Sequence, residues 1–197
     1  MGVYELSGAG SIKTGRTLYT SMNAGNQFGA MVPISQVTGN GTSPVIGITN
    51  IPQTYQDLLL ICTLFPSSTS ARGGLQLNND GSLIYSWTYL NGNGSSASSS
   101  RGVDLSFIDF YAGIGMATTN PTTVAIHIPN YANTSTFKTA IMRTASDQNG
   151  SGITTLSVGT YRSTSALSVI SISTLNGSYL WNTGSTATLY GIRAVSS

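Results

Sequence analysis

The strongest constraint on the fold is the segment at residues 51–65, IPQTYQDLLLICTLF, which carries the most continuous apolar run in the chain. Pro52 and Pro66 flank this run. A short apolar run between prolines favours a strand over a helix, and a strand that is buried on both faces lacks the polar alternation of a half-exposed one. The segment therefore predicts a central, fully buried β-strand.

From Pro44 onward, strand-like segments follow one another at the spacing of an all-β sandwich or barrel. No segment keeps the 3.6-residue period of a helix. The pattern predicts two sheets packed face to face, with jelly-roll or Greek-key connections. The predicted strands are residues 45–50, 58–65, 75–78, 83–90, 105–112, 122–128, 137–144, 153–162, 166–174 and 187–192.

Two polar stretches between these segments carry separate predictions. Asn79, Asp80 and Gly81 separate two alternating runs, and Asp-Gly in that position is a hairpin signal because both residues tolerate positive φ. Residues 91–101, NGNGSSASSSR, have the composition of a flexible linker. We expect them to form a flexible surface loop.

The composition limits the classes of partner. Charged residues make up 7% of the 197 residues, against a usual value of about 25%, and Ser, Thr, Asn and Gly take their place. The net charge of +2 comes from basic and acidic residues that are scattered singly, so no basic patch of the kind that binds nucleic acid exists. No apolar run approaches the ~18 residues that span a bilayer, and the first residues lack the order of a signal peptide. We expect neither a nucleic-acid nor a membrane partner.

Candidate catalytic and metal-binding groups are few. Cys62, the only cysteine, falls inside the apolar run and is expected to be a small buried hydrophobe. His127, the only histidine, would need neighbouring ligands for a metal site or an orienting acid for a catalytic triad. Asp104 and Asp109 are five positions apart, which places them on opposite faces of one strand and not on the same side of a glycosidic bond. We therefore expect no enzyme, no catalytic or metal residues and no cofactor.

Residues 1–44 differ from the rest of the chain, because their apolar residues are irregularly spaced among Gly, Ser, Asn and Thr. The pattern predicts an extended N-terminal arm, followed by a β-sandwich domain at residues 45–197. A solvated tail or an extra strand of the same domain stays open as an alternative. We expect the arm to order on a partner or a sister subunit through the side chains of Tyr4, Tyr19, Met22, Phe28 and Met31.

Three aromatic residues share one face of the predicted strand at residues 83–90: Tyr85, Trp87 and Tyr89. Aromatic faces of this kind stack on sugar rings, which makes the three residues a possible glycan platform. A sandwich core needs the same pattern, so core packing stays open as the alternative.

Six segments, taken as a set, resemble small structural proteins of tailed bacteriophages, particularly those of aquatic hosts such as cyanophages. The resemblance implies a virion component with a β-sandwich body, assembled in the host cytoplasm, and it implies neither catalysis nor any particular binding residue. The segments are RTLYTSMNAGNQFGAMVPI, IPQTYQDLLL, YSWTYLNGNGSSASSSR, AIHIPNY, GTYRSTSALSVISI and GSTATLYGI.

Two roles within a virion fit this resemblance. A capsid decoration (cement) protein has a short chain, sits on the shell, commonly as a trimer, and clamps the major capsid protein with an arm. A tail fibre, tail adaptor or receptor-binding component would instead contact tail proteins and host glycans, and such chains are usually longer, with stalk segments. The length, the arm and the low charge favour decoration. The tail role and a non-viral glycan-binding module stay open as alternatives.

Overall fold

The computed structural model describes residues 30–110, 116–147, 150–175 and 178–194. Within these ranges the chain forms β-strands and no helix, so no described helix could cross a membrane. The predicted all-β class is confirmed. In chain order the strands are β1 (Met31–Thr38), β2 (Val45–Ile48), β3 (Asp57–Leu64), β4 (Gly73–Leu77), β5 (Tyr85–Gly92), β6 (Ala97–Leu105), β7 (Ile108–Asp109), β8 (Thr122–Pro129), β9 (Lys138–Asp147), β10 (Gly152–Tyr161), β11 (Ile170–Thr174) and β12 (Thr186–Ile192).

The strands form two antiparallel sheets, and the prediction of a β-sandwich is confirmed. One sheet has eight strands in the order β1-β12-β3-β8-β9-β10-β5-β6, and the other has four in the order β2-β11-β4-β7. A single cluster of buried side chains draws on both sheets, with Leu60 and Ile126 from the larger and Leu75 and Ile172 from the smaller. This cluster is the core between two facing layers.

The strand β3 is central, as predicted, but only one of its faces is fully buried. It pairs with β12 on one side and β8 on the other. Its inward side chains, which include Leu60 and Cys62, are at most 1% exposed, while Leu59, Ile61 and Thr63 on the other face are half-buried. The expectation of burial on both faces was wrong because no described element forms a second layer over the outer face of the larger sheet.

The first described strand belongs to the sandwich. β1 pairs with β12 along its length, so the sandwich begins ahead of the boundary predicted between residues 44 and 45, and the extra-strand alternative describes Met31–Thr38. The pairing register shifts between Pro33 and Ser35. Val32 and Val37 are five positions apart, and this irregularity lets both face the core. A strand that changes phase in this way does not show regular alternation in its sequence.

The turn at residues 79–81 connects the two sheets, so the predicted hairpin was wrong. β4 lies in the smaller sheet and β5 in the larger. Positive φ values occur at Asn78 and Asn79, at 53° and 54°, and not at Asp80 or Gly81. An Asp-Gly pair marks a turn, but it does not say whether the strands on either side will pair with each other.

The flexible loop predicted at residues 91–101 is instead a hairpin. β5 continues to Gly92 and pairs with β6, and Gly94 between them has a φ of 86°. The Asn93 Oδ1 atom accepts hydrogen bonds from the backbone N–H groups of Ser95 and Ser96, at 3.0 and 2.9 Å. The prediction failed because the ladder is made by backbone groups, which a polar composition does not prevent from pairing.

Candidate functional site

Most of the predicted arm residues cannot be placed. Tyr4, Tyr19, Met22 and Phe28 lie outside the described residues. Met31 is the first residue of β1, is 46% exposed and lies opposite Ile192 of β12. Because β1 is an edge of the larger sheet, the N-terminal segment joins the sandwich at this edge. Partner binding by the five residues stays a prediction.

The three predicted platform residues lie on the inner face of β5, and Tyr85 is part of the core. Its ring is fully buried and stacks on Tyr161 with 4.8 Å between centroids. Its hydroxyl donates to the carbonyl oxygen of Leu77 at 2.9 Å, and burial raises its pKa. Tyr85 is therefore not accessible to a sugar in this structure.

Trp87 and Tyr89 are partly exposed and stack on each other, with 5.1 Å between centroids and 18° between planes. Each ring covers one face of its neighbour, so the two rings are not side by side in one plane. Trp87 also packs against Gly102 of β6, where a Cβ atom would lie 2.6 Å from the Trp87 Cε2. Glycan contact by Trp87 and Tyr89 stays a prediction, with a narrower accessible surface than a flat platform would offer.

His127 makes a hydrogen bond that links two strands. Its Nε2 atom lies 3.0 Å from Oδ2 of Asp57, and Oδ1 of Asp57 accepts a hydrogen bond from the backbone N–H of Asn130 at 2.9 Å. Across residues 30–110, 116–147, 150–175 and 178–194, no hydroxyl or thiol is hydrogen-bonded to His127, and no three His, Cys, Asp or Glu side chains group as metal ligands. The arrangement orients strands, and it offers no nucleophile to activate.

The pair Asp104 and Asp109 is separated more completely than predicted. Asp104 lies near the end of β6 in the larger sheet and pairs with Arg162, while Asp109 lies in β7 of the smaller sheet and pairs with Arg72. The single strand predicted at residues 105–112 was therefore wrong over its described part. Asp109 is fully buried, and a buried carboxylate requires a partner such as Arg72.

The feature that sequence reasoning missed is an apolar patch on the outer face of the larger sheet. We define the outer-face patch as Leu90, Ile141, Leu156 and Val158, which are 55%, 45%, 52% and 45% exposed. Leu90 lies opposite Leu156, and Ile141 lies opposite Val158, on the adjacent strands β5, β10 and β9. Alternation in each strand was visible in the sequence, but the neighbours of β10 were not, so the four side chains could not be joined into one surface.

The middle of β10 is inverted relative to an ordinary sandwich strand, although Ile153 and Tyr161 near its ends face the core. Thr155 and Ser157 face inward and are 2% and 3% exposed, while Leu156 and Val158 face outward. A strand normally turns its apolar side chains to the core. The outer-face patch is therefore an arrangement that departs from simple burial.

Comparison with known proteins assigns no family. No protein-family model and no curated protein matches the chain. A solved structure of a protein of unknown function from Shewanella oneidensis MR-1 is similar over 86% of this chain and 78% of that one, at 8% sequence identity and a TM-score of 0.21. A likeness at that TM-score is no basis for an inference about fold or function.

Proposed function

We propose that this chain is a virion structural protein of a tailed bacteriophage, and that it acts as a capsid decoration protein that bridges subunits of the major capsid protein. The observation that carries the proposal is the outer-face patch, since contiguous exposed apolar side chains mark surfaces that contact another protein. The resemblance of the six sequence segments supplies the virion context. The low proportion of charged residues, 7%, suits a surface that packs among neighbours.

We also propose that the body is a jelly roll, and the strand order supports this. The strands β1-β12-β3-β8 form one half of the larger sheet, and the smaller sheet has the order β2-β11-β4-β7. Two four-stranded sheets connected in this alternating way are the jelly-roll arrangement. The hairpin strands β5 and β6, together with β9 and β10, then widen one sheet beyond the eight-stranded jelly roll and create the surface that carries the outer-face patch.

The proposed mechanism is mechanical. Many copies of a homotrimer would bridge subunit joints, with affinity from multivalent, mostly apolar and hydrogen-bonded contacts. The N-terminal arm would extend from the β1 edge onto a neighbouring capsid subunit. No catalytic step is part of this proposal.

The test is the copy number of this chain in purified particles, measured by quantitative mass spectrometry against the major capsid protein. A ratio near parity is the expected result. A trace ratio would overturn decoration in favour of a tail component, and absence from the particle would overturn both roles.

A truncation tests the arm. Because Met31–Thr38 lies in the sheet, the deletion should remove residues 1–29 only. The shortened protein is expected to keep the β-sheet circular dichroism of the full chain and to lose binding to particles stripped of this protein. Binding that equals that of the full chain would contradict the arm.

The tail alternative has one observation in its favour, which is the stacked pair Trp87 and Tyr89 beside the serine-rich hairpin. Under this alternative, Trp87→Ala would abolish binding to host polysaccharide on a glycan array while leaving the melting curve intact. An array without a hit for the unmodified protein would remove this alternative.

A further inference from the structure

We propose that the outer-face patch is buried against a second copy of this chain. The inference rests on the virion proposal in assuming an oligomer, and it adds the surface through which the copies would associate, which is measured on the purified protein without any particle. The two ideas therefore fail separately.

The first argument is the orientation of β10. Shifting a strand by one residue exchanges its two faces, and the shifted register would place Leu156 and Val158 in the core. The observed register instead places Thr155 and Ser157 there, and their hydroxyl groups have no hydrogen-bond partner within the described structure. A buried hydroxyl without a partner destabilises the fold. The outward aliphatic side chains offset this cost if they too leave water.

The neighbouring strand repeats part of the pattern. β9 places Ala140 and Met142 in the core, but its second half buries Thr144 and Ser146, while Ile141 points outward beside Val158. Because Thr144 lies opposite Thr155, the inward hydroxyl side chains of the two strands form one region and are not a feature of one residue. Local patterns that conflict with simple burial are concentrated at functional surfaces.

The second argument is charge, and it favours a second copy over an unrelated partner. Arg101, Arg143 and Asp147 are exposed, and none of them takes part in the ion pairs among the described residues. All three lie in phase with the outer-face patch: Arg101 is opposite Thr88, Arg143 is opposite Leu156, and Asp147 follows on the same strand as Arg143. A face that carries both signs can present complementary charges to a second copy of this chain, either across a two-fold axis or head to tail in a ring.

The third argument is size. Eight strands about 4.8 Å apart, each about eight residues long, give a face of roughly 900 Å² in outline. A stable protein interface buries about 800 Å² on each partner. The outer face as a whole is therefore large enough for a stable contact, and the outer-face patch lies on the fifth to seventh of its eight strands, towards the β6 edge.

The experiment uses a matched pair of valines. Val158 in the outer-face patch is 45% exposed, and Val45 on β2 of the smaller sheet is 43% exposed. Both should accept arginine in the folded monomer, because a long side chain at a half-exposed position can carry its charge into water. Sedimentation equilibrium of the full chain, from about 1 to about 100 µM, would compare unmodified protein, Val158→Arg and Val45→Arg.

We expect the unmodified protein and Val45→Arg to have masses that are the same multiple of 20.5 kDa, and Val158→Arg to dissociate at least roughly tenfold more readily. An unmodified protein that stays monomeric at the highest concentration would overturn the proposal, as would two variants that associate alike. If Val158→Arg fails to fold, Leu90→Ser on the hairpin strand β5 provides the same comparison. A monomer that still needs Val158 for particle binding would overturn self-association while leaving the virion proposal in place.

Discussion

The phenol of Tyr161 donates a hydrogen bond to Oδ2 of Asp80 at 2.9 Å and so joins the last residue of β10 to the turn between the sheets. Oδ1 of the same carboxylate accepts the backbone N–H of Ser82 at 2.9 Å. Hydrogen bonds from Ser82, and then from Tyr161, hold the pKa of Asp80 below its usual value. Because these bonds favour the ionised form of Asp80, the stability that they give to the turn depends on pH.

Replacement of Asp80 should make the free energy of unfolding depend less on pH under acidic conditions. A carboxyl whose pKa is lower in the folded state than in the unfolded state adds stability above the unfolded value, near 4, and loses it as pH falls through the folded value. Asp80→Asn should therefore lose less stability than the unmodified protein between about pH 5 and pH 2. Urea unfolding at several pH values measures this. Parallel curves for the two proteins would contradict the assignment, and Tyr161→Phe should fall between them.

Cys62 should be inert in the folded protein. The side chain is fully buried, and burial raises the pKa of its thiol to about 12. Since the thiolate is the reactive form, its fraction at pH 8 falls about a thousandfold relative to an ordinary thiol, before restricted access is counted. Reaction with a chromogenic disulfide reagent should be at least that much slower in buffer than in concentrated guanidinium. Comparable rates would mean that β3 opens readily.

The two faces of β3 should respond differently to truncation. Leu60→Ala removes a side chain that is 1% exposed and should destabilise the fold by about 2–5 kcal/mol, since it leaves a cavity. Leu59→Ala, on the half-buried outer face, is the matched control and should cost less, about 1 kcal/mol. The free energy of unfolding in urea measures both. Equal losses would indicate that the outer face is covered as fully as the inner one.

Gly159 is required by a close approach between sheets. A Cβ atom at this position would lie 2.8 Å from Cδ1 of Ile108, and closer still to its Cγ2, so Gly159→Ala should destabilise the fold by about 1–3 kcal/mol. Gly47 on β2 is a matched strand glycine whose Cβ would meet only the Ser171 hydroxyl at an ordinary 3.6 Å. Gly47→Ala should leave the melting temperature nearly unchanged. A similar drop for both variants would argue that backbone propensity, and not contact with Ile108, is responsible.

The fold class was predictable because the inward side chains of the central strands follow the two-residue period. Val124, Ile126 and Ile128 alternate in β8 as the sequence indicates. The apolar run at residues 58–64 led to the wrong prediction that both faces of β3 are fully buried, since aliphatic side chains also occupy its half-buried outer face. β6 was missed because its serines carry no apolar signal, although Asn93 and Gly94 were a turn signal within the same stretch.

The outer-face patch was beyond sequence reasoning for a different reason. Its residues come from β5, β9 and β10, and their adjacency depends on a strand order in which β10 lies between β9 and β5. The ion pair Arg72–Asp109 and the hydrogen bond His127–Asp57 likewise join segments that are distant in the sequence. Periodicity reports which side chains share a face, but only the pairing of strands reports which faces adjoin.

The position of β12 between β1 and β3 sets the order of events on the ribosome. The first described strand, β1, pairs with β12, so this pairing cannot form until translation has passed Ile192. Closing a sheet between strands so distant in sequence is slow and leaves apolar strands exposed meanwhile. Because long apolar runs are scarce outside β3, the nascent chain is less prone to aggregate before β1 and β12 pair.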